Sequence, residues 1–279
     1  MAKPLDLDLR EGQSIELLKE LHILTRDGKL NQDSRRKLKQ VYHLYQFIEP
    51  LLRDVLTHQD SLTLADHGAG KSYLGFILYD LFCKPQGTGT VYGIETRQAL
   101  VDKSRELAST FGFERMHFIN TTVDASINDE RLPDRIDVVT ALHACNTATD
   151  DAIRFALQKK ARHIVLVPCC QAEVASTLKK YKNESLSQTP LSELWRHPIH
   201  SRELGSLLTN VLRCLLLESK GYKVTVTELV GWEHSMKNEL IIASHHGAPR
   251  KNAKIRALEI LKSHHLEELE DRFIYDCYD

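Results

Sequence analysis

The chain has 279 residues, a formal net charge of −1 and an apolar fraction of 42%, which fits one large or two small soluble domains. The balanced charge argues against a wholly basic nucleic-acid binder. No stretch approaches the roughly 20 apolar residues of a membrane span, and the N-terminus lacks the apolar core of a signal peptide, so we expect a cytoplasmic protein with no membrane contact. A stable protein partner is not inferable from the sequence.

The first sixty residues predict an N-terminal helical segment. Apolar residues between positions 15 and 24 recur close to helical spacing. A charged turn is expected at 26–40, which contains six basic and two acidic residues. The following stretch, 41–56, is typical of a helix that is interrupted or kinked near Pro50. We assign residues 1–60 to this segment.

Strands and helices alternate from residue 61 onward. The strand-like runs lie at 61–66, 90–95, 116–123, 136–143, 163–169, 222–230 and 238–246. Such alternation predicts a parallel α/β sheet, and the short separation of the last two runs predicts an antiparallel pair. We therefore predict a Rossmann-like seven-stranded sheet with an antiparallel last strand over 61–247, the architecture of methyltransferases, with a C-terminal helix and acidic tail over 248–279.

A glycine-rich loop, DHGAGKS at 66–72, follows the first predicted strand and opens a helix. Glycines let the backbone approach a ligand closely, and a helix start offers free N–H groups. One interpretation is a P-loop. Gly70-Lys71-Ser72 fits that motif, but its first glycine would fall at Ala65, and no later strand ends in an acid suited to magnesium.

The other interpretation is a site for S-adenosylmethionine, in which carboxylates face the ligand. Asp66 suits an ammonium group, and Glu95, at the end of the second strand, can accept both ribose hydroxyls. Asp124 follows the third strand and is placed to sit near the adenine amino group. Three acids after three successive strands, together with the glycine turn, favour this interpretation.

Two further motifs carry a family resemblance: LHACNTATD at 142–150 and PCCQ at 168–171. Together with DHGAGKSYLG at 66–75 and GWEHSMKN at 231–238, they resemble one branch of the class I S-adenosylmethionine-dependent methyltransferases. More distantly, they are similar to the tRNA 2′-O-methyltransferases. The resemblance covers about residues 40–247.

The resemblance implies roles for individual residues. The methionine end of the cofactor would lie against Asp66, Gly68, Gly70 and Lys71. Glu95 would hold the ribose, Asp124 the adenine, and Leu142 would line the pocket. The chain departs from the pattern at His67, where many relatives carry an apolar or aromatic residue. It also lacks the zinc fingers of the eukaryotic tRNA enzymes.

The ends of the fourth and fifth strands supply the candidate acceptor side. His143 is placed to act as the general base that removes a proton from a hydroxyl acceptor, and the alternative is a wall residue with a structural hydrogen bond. The thiols allow three interpretations: small residues that shape the wall, a catalytic thiolate, or zinc ligands. A C-x-x-C pair is absent, so we expect no metal. The predicted substrate-binding residues on these two ends are Cys145, Pro168, Cys169 and Cys170.

Lys237 and Asn238 open the last predicted strand, and the matching family motif suggests a loop that folds over the substrate. RNA is the preferred acceptor and partner, and two basic segments, 26–40 and 249–262, can contact phosphates, although ordinary solvated helices are slightly favoured for both. Protein and small-molecule acceptors, a P-loop nucleotide hydrolase and a non-catalytic cofactor-binding protein remain the competing functions.

Overall fold

The computed structural model describes residues 9–29, 32–142, 146–168, 172–181, 190–229 and 239–275. Seven strands form one sheet: β1 (Thr63–His67), β2 (Thr90–Glu95), β3 (Met116–Asn120), β4 (Val138–Leu142), β5 (His163–Val167), β6 (Tyr222–Glu228) and β7 (Glu239–His245). Their order is β3-β2-β1-β4-β5-β7-β6. Strand β7 runs antiparallel to both β5 and β6, and the other neighbours are parallel. The predicted sheet is confirmed, including its antiparallel last strand.

Helices cover both faces of the sheet. They are α1 (Ile15–Glu20), α2 (Gln32–Leu56), α3 (Tyr73–Leu78), α4 (Lys84–Gln86), α5 (Gln98–Thr110), α6 (Val123–Ser126), α7 (Ala148–Gln158), α8 (Glu173–Lys180), α9 (Pro198–Ser219), α10 (Ala253–Ser263) and α11 (Glu270–Phe273). A π-helical turn, Tyr79–Cys83, joins α3 to α4, and 3-10 turns occupy Pro190–Trp195 and Glu267–Leu269. None of the described helices is long and apolar enough to cross a membrane.

Alternation along β1 places its side chains in two of the three hydrophobic clusters of the described residues. Leu64 packs in the cluster that contains the buried side chains of α1, α2 and α3, whereas Ala65 packs in the cluster built with α7. Successive side chains of a strand point to opposite faces. Asp66 therefore faces the α2 layer and His67 faces the α7 layer.

The expected charged turn at 26–40 is wrong over its second half, because α2 begins at Gln32 and continues through Pro50 to Leu56. A proline inside a helix costs about 3 kcal/mol or more. Burial of each Leu, Ile or Val side chain contributes about 1.5–3 kcal/mol, and the buried positions of α2 include Leu44, Ile48, Leu52 and Val55. Packing of this face outweighs the cost of Pro50.

Candidate functional site

The site is built where the direction of the chain through the sheet reverses. After β1 the chain passes to β2 and β3, then returns to β4 on the other side of β1. Ligands of such sheets bind at the carboxyl ends of the strands that flank this point. A cavity of about 440 Å³ lies there. The described residues that line it are Ile23, Lys37, Gln40, Val41, Leu44, Asp66, Gly68, Ala69, Gly70, Lys71, Tyr73, Leu74, Arg97, Leu142 and Leu229.

Asp66 is the buried carboxylic acid of this cavity. Its register partner on β4 is Thr140, whose hydroxyl donates a hydrogen bond of 2.7 Å to Asp66 Oδ1. Burial raises the pKa of Asp66 to about 7, against the hydrogen bond from Thr140, which lowers it. A ligand ammonium group would favour the ionised carboxylate. The environment of Asp66 thus fits the methionine end of S-adenosylmethionine.

The glycine loop has the backbone that close approach to a ligand requires. Gly68 and Gly70 have φ angles of +64° and +57°, a region that disfavours side chains. A Cβ atom added at Gly68 would have no heavy atom within 4 Å, so the loop leaves open space on that side. Gly70 donates its N–H to Glu95 Oε2 at 2.8 Å, which joins the loop to the end of β2.

Glu95 is a buried carboxylate whose oxygens already accept several hydrogen bonds. Arg97 donates Nε to Oε1 at 2.9 Å, Nη2 to Oε2 at 3.1 Å and its backbone N–H to Oε1 at 3.0 Å. Burial alone would raise the pKa of Glu95, but the bonds from Arg97 and Gly70 lower it to about 2. The Arg97 side chain is 67% exposed, so its guanidinium has room to move away from Glu95. The ribose role of Glu95 stays a prediction.

The structure brings most of the predicted cofactor residues together. Lys71 and Leu142 line the cavity with Asp66, Gly68 and Gly70. Asp124 does not. It lies in the first turn of α6, its side chain is 72% exposed, and its carboxylate is 3.9 Å from Arg154. The adenine role of Asp124 therefore stays a prediction.

The predicted acceptor side is described only in part. Leu142 pairs with Val167, so the ends of β4 and β5 are neighbours, as predicted. Pro168 is buried directly after β5. The remaining predicted residues lie outside the described residues: His143, Cys145, Cys169, Cys170, Lys237 and Asn238. Within the described residues, no group of three or more His, Cys, Asp or Glu side chains could hold a metal.

His67 does not reach the cavity. Its ring meets Phe155 of α7 edge-on, with centroids 4.3 Å apart. Neither ring nitrogen has a hydrogen-bond partner among the described residues, and burial lowers the pKa of His67 to about 3. A neutral imidazole thus fills a position where an apolar side chain would also pack.

Sequence reasoning missed one wall of the cavity. Lys37, Gln40, Val41 and Leu44 lie on one face of α2, at the i, i+3, i+4 and i+7 positions. Helical periodicity from residue 37 onward could have shown that these residues share a face. Arg97 lies two residues after Glu95, and no pattern in the sequence marks it as a residue of the cavity.

A model of a methyltransferase domain family matches residues 36–177, about half of the chain. The chain belongs to this family, so it is a methyltransferase with S-adenosylmethionine as its methyl donor. This match favours a methyltransferase over a P-loop nucleotide hydrolase, and the glycine loop as the cofactor site stays a prediction. No curated protein matches the chain.

Several solved structures are similar to the chain at low identity. An rRNA methylase from Streptococcus thermophilus is 12% identical, with a TM-score of 0.42, over 71% of this chain and 94% of that chain. Magnesium protoporphyrin IX methyltransferase from Synechocystis, with bound SAH, is 14% identical, with a TM-score of 0.43, over 82% and 94%. Precorrin-6y C5,15-methyltransferase from Geobacter metallireducens is 18% identical, with a TM-score of 0.41, over 71% and 88%.

Proposed function

We propose that this methyltransferase modifies RNA. The observation that carries the proposal is the charge around the cavity. Lys37 of α2, Lys71 of the glycine loop and Arg97 before α5 all line it, and Asp66 is the single acid among its described lining residues. Arg97 is paired with Glu95 beside the cavity, so Lys37 and Lys71 carry most of this argument. The methyl donor adds its own positive sulfonium. A site with this charge attracts an anionic acceptor.

A polyanion fits the surroundings better than a small anion does. Exposed cationic side chains continue on the first turns of α2 at Arg35, Arg36 and Lys39. A row of cations on one element can contact successive phosphates of one strand. The resemblance to tRNA methyltransferases supports the same acceptor.

The second basic segment, 249–262, contributes less to this proposal. Arg250 donates to Glu218 Oε1 and Arg256 donates to Glu218 Oε2, both at 2.9 Å. These ion pairs neutralise part of the charge of the segment. The segment therefore adds less positive charge than its sequence suggests.

The same proposal assigns roles to the residues of this chain. Asp66 holds the ammonium group of the donor, the backbone of Gly68 and Gly70 lies against its methionine end, and Glu95 accepts the ribose hydroxyls. His143 removes the proton from the acceptor as the methyl group is transferred in line from sulfur. The donor supplies the methyl group and leaves as S-adenosylhomocysteine.

The test is transfer of labelled methyl from S-adenosylmethionine into fractionated cell extract. We expect label in the RNA fraction, and ribonuclease digestion should release that label. Lys37→Glu should lower this incorporation with cofactor affinity unchanged, and Lys223→Glu, an exposed position on β6, is the matched control. Label that enters only protein or small molecules would overturn the RNA proposal, even though the chain would still be a methyltransferase.

A further inference from the structure

A second cavity, of about 680 Å³, lies at the opposite end of the sheet from the cavity that Asp66 lines. Its walls come from residues at or just before the start of β4, β5 and β6, and from the end of the antiparallel β7. A strand of five residues such as β4 is about 17 Å long, so the two cavities are separate sites.

The second cavity is lined by cationic side chains. Arg135, Lys160 and Lys220 each contribute a positive charge, and His245 contributes one when it is protonated. None of the described residues that line this cavity is acidic. Arg135 is 3.8 Å from Asp137 Oδ1, so part of its charge is neutralised, and the two lysines supply most of the positive potential.

Two helices end at the second cavity and offset part of this charge. The helices α7 and α9 end just before Lys160 and Lys220, and the carboxyl end of a helix carries about half a negative charge. A lysine at such an end stabilises the helix even without a ligand, but helix stability does not require both lysines to line one cavity with Arg135 and His245. The lysines and the helix ends together leave a charge of about +1, before Arg135 and His245 are counted.

The remaining walls suit the body of a small molecule. Leu157, Ala161 and Pro249 are apolar. Tyr222 is buried, its hydroxyl donates a hydrogen bond of 2.6 Å to the carbonyl oxygen of Ala161, and its ring meets the ring of His245 edge-on, with centroids 5.1 Å apart. These contacts hold the wall in place without a ligand. The volume lies within the range of about 300–1,000 Å³ that is typical of small-molecule sites.

The basic segment 249–262 begins at the rim of the second cavity. Pro249 lines this cavity and also a neighbouring one of about 190 Å³, which shares Lys220 with it. The neighbouring cavity adds the basic residues Arg250, Lys251 and Lys254. Although Arg250 is paired with Glu218, the two lysines extend the positive charge around the opening, and such a field attracts anions.

We propose that the second cavity binds the phosphate group of a small phosphorylated molecule. A phosphate monoester carries a charge of about −1.5 to −2 at pH 7, which matches the small positive excess better than a long polyanion does. Lys160 and Lys220 hold the phosphate oxygens. The side chain of Arg135 is 58% exposed, so it is free to turn from Asp137 toward the same group. This proposal does not depend on which acceptor the enzyme methylates.

The first arm of the test locates a bound phosphate. The full chain, labelled with ¹⁵N in glycine, is titrated with phenyl phosphate in about 0.15 M potassium chloride, which screens weak surface attraction. Gly247 lines the second cavity, whereas Gly68 and Gly70 line the Asp66 cavity. We expect a saturable shift of the Gly247 amide signal, and no shift with phenol, which lacks the phosphate. A Gly247 signal that does not move with phenyl phosphate would overturn the proposal.

The second arm measures the affinity of variants for phenyl phosphate by calorimetry. Lys160→Gln should weaken binding by at least about tenfold, the loss of one hydrogen bond to a charged group, and Lys160→Arg should retain it. Lys223→Gln is the matched control, because Lys223 follows Tyr222 on β6 and therefore points to the opposite face of the sheet. Equal affinities of Lys160→Gln and Lys223→Gln would show that the cavity does not hold the phosphate.

A competition experiment separates a small ligand from RNA. Single-stranded RNA without a terminal phosphate should neither displace phenyl phosphate nor shift the Gly247 signal. Displacement by this RNA would overturn the assignment to a small phosphorylated molecule and would place nucleic acid at this end of the sheet. Failure of methyl transfer to RNA would overturn the proposed function alone, because none of these readouts uses enzyme activity.

Discussion

Asp66 and His67 are consecutive residues of β1, and burial shifts their pKa values in opposite directions. The pKa of Asp66 rises from 3.8 to about 7, and that of His67 falls from 6.5 to about 3. Asp66 stays protonated up to about pH 7 in the folded chain but only up to about pH 3.8 in the unfolded chain. This difference stabilises the folded chain below pH 7, and the stabilisation is complete below pH 3.8. His67 binds a proton below about pH 6.5 in the unfolded chain but stays neutral there in the folded chain. The free energy of unfolding therefore decreases as the pH falls below 6.5. Between about pH 4 and 6.5 the two slopes, each about 1.4 kcal/mol per pH unit, cancel.

The first prediction separates these two slopes. The variant Asp66→Asn removes the contribution of Asp66 and keeps that of His67. Between pH 6.5 and 5, the free energy of unfolding of this variant should therefore fall by roughly 1.5–2 kcal/mol relative to that of the native chain. The free energy of unfolding of His67→Leu should instead rise relative to that of the native chain as the pH falls from 6.5 to 5. Urea unfolding at each pH measures both, and the double variant should follow the native curve. Parallel curves for all four proteins would refute the assigned pKa shifts.

The second prediction concerns the competition for Glu95. Glu95→Ala should weaken cofactor binding by about 1.5–3 kcal/mol, the value of hydrogen bonds to a charged group. Arg97→Ala should instead tighten binding, because the ribose no longer displaces a guanidinium from Glu95. Glu95 is buried, but the Arg97 guanidinium is largely exposed, so we expect a modest gain, on the order of fivefold. Calorimetry measures both affinities, with Lys103→Ala on α5 as control. Weaker binding by Arg97→Ala would mean that Arg97 itself contacts the ligand.

The third prediction uses two glycines with the same backbone. Gly68 and Gly87 have φ angles of +64° and +67°, and a Cβ atom added at either would have no heavy atom within 4 Å. A valine should therefore strain both sites similarly, by about 1–2 kcal/mol. Only Gly68→Val should abolish S-adenosylmethionine binding, because only Gly68 lines the cavity. Equal affinities of the two variants in calorimetry would remove the glycine loop from the site.

At the scale of elements, the sheet was predictable and the contacts between distant elements were not. Apolar runs locate β1 to β5 because buried parallel strands are apolar on both faces. Periodicity can show that α2 has an apolar face, but it does not tell what that face covers. Asp150 is predictable as a residue at the start of a helix, yet its partner Arg213 is 63 residues away. Such pairings depend on how α7 and α9 pack, which local sequence does not encode.

The packing of α2 gives the fourth prediction. The sequence assigns residues 1–60 to an N-terminal helical segment that precedes the predicted sheet domain of residues 61–247. However, Leu44, Ile48, Leu52 and Val55 are each at most 4% exposed in the core that also contains Leu64 of β1. Loss of these four side chains removes roughly 6–12 kcal/mol of burial, comparable with the 5–15 kcal/mol that stabilises a typical domain. The truncated chain should show no cooperative thermal unfolding by near-UV circular dichroism. A sharp transition would show that the segment is dispensable for folding.

At the scale of the whole molecule, the charge is nearly balanced, with 37 Lys and Arg against 38 Asp and Glu, so any attraction for RNA must come from local clusters. Lys37, Lys71 and Arg97 line one cavity. Each phosphate contact to a single strand adds about −0.7 to the slope of log K against log salt, so these three together should contribute about −2. Lys37→Gln should make the slope shallower by about 0.7, and Lys223→Gln should leave it unchanged. Fluorescence anisotropy of labelled single-stranded RNA across a potassium chloride series measures the slopes. A slope near zero, or one that responds to Lys223→Gln and not to Lys37→Gln, would place the RNA away from this cavity.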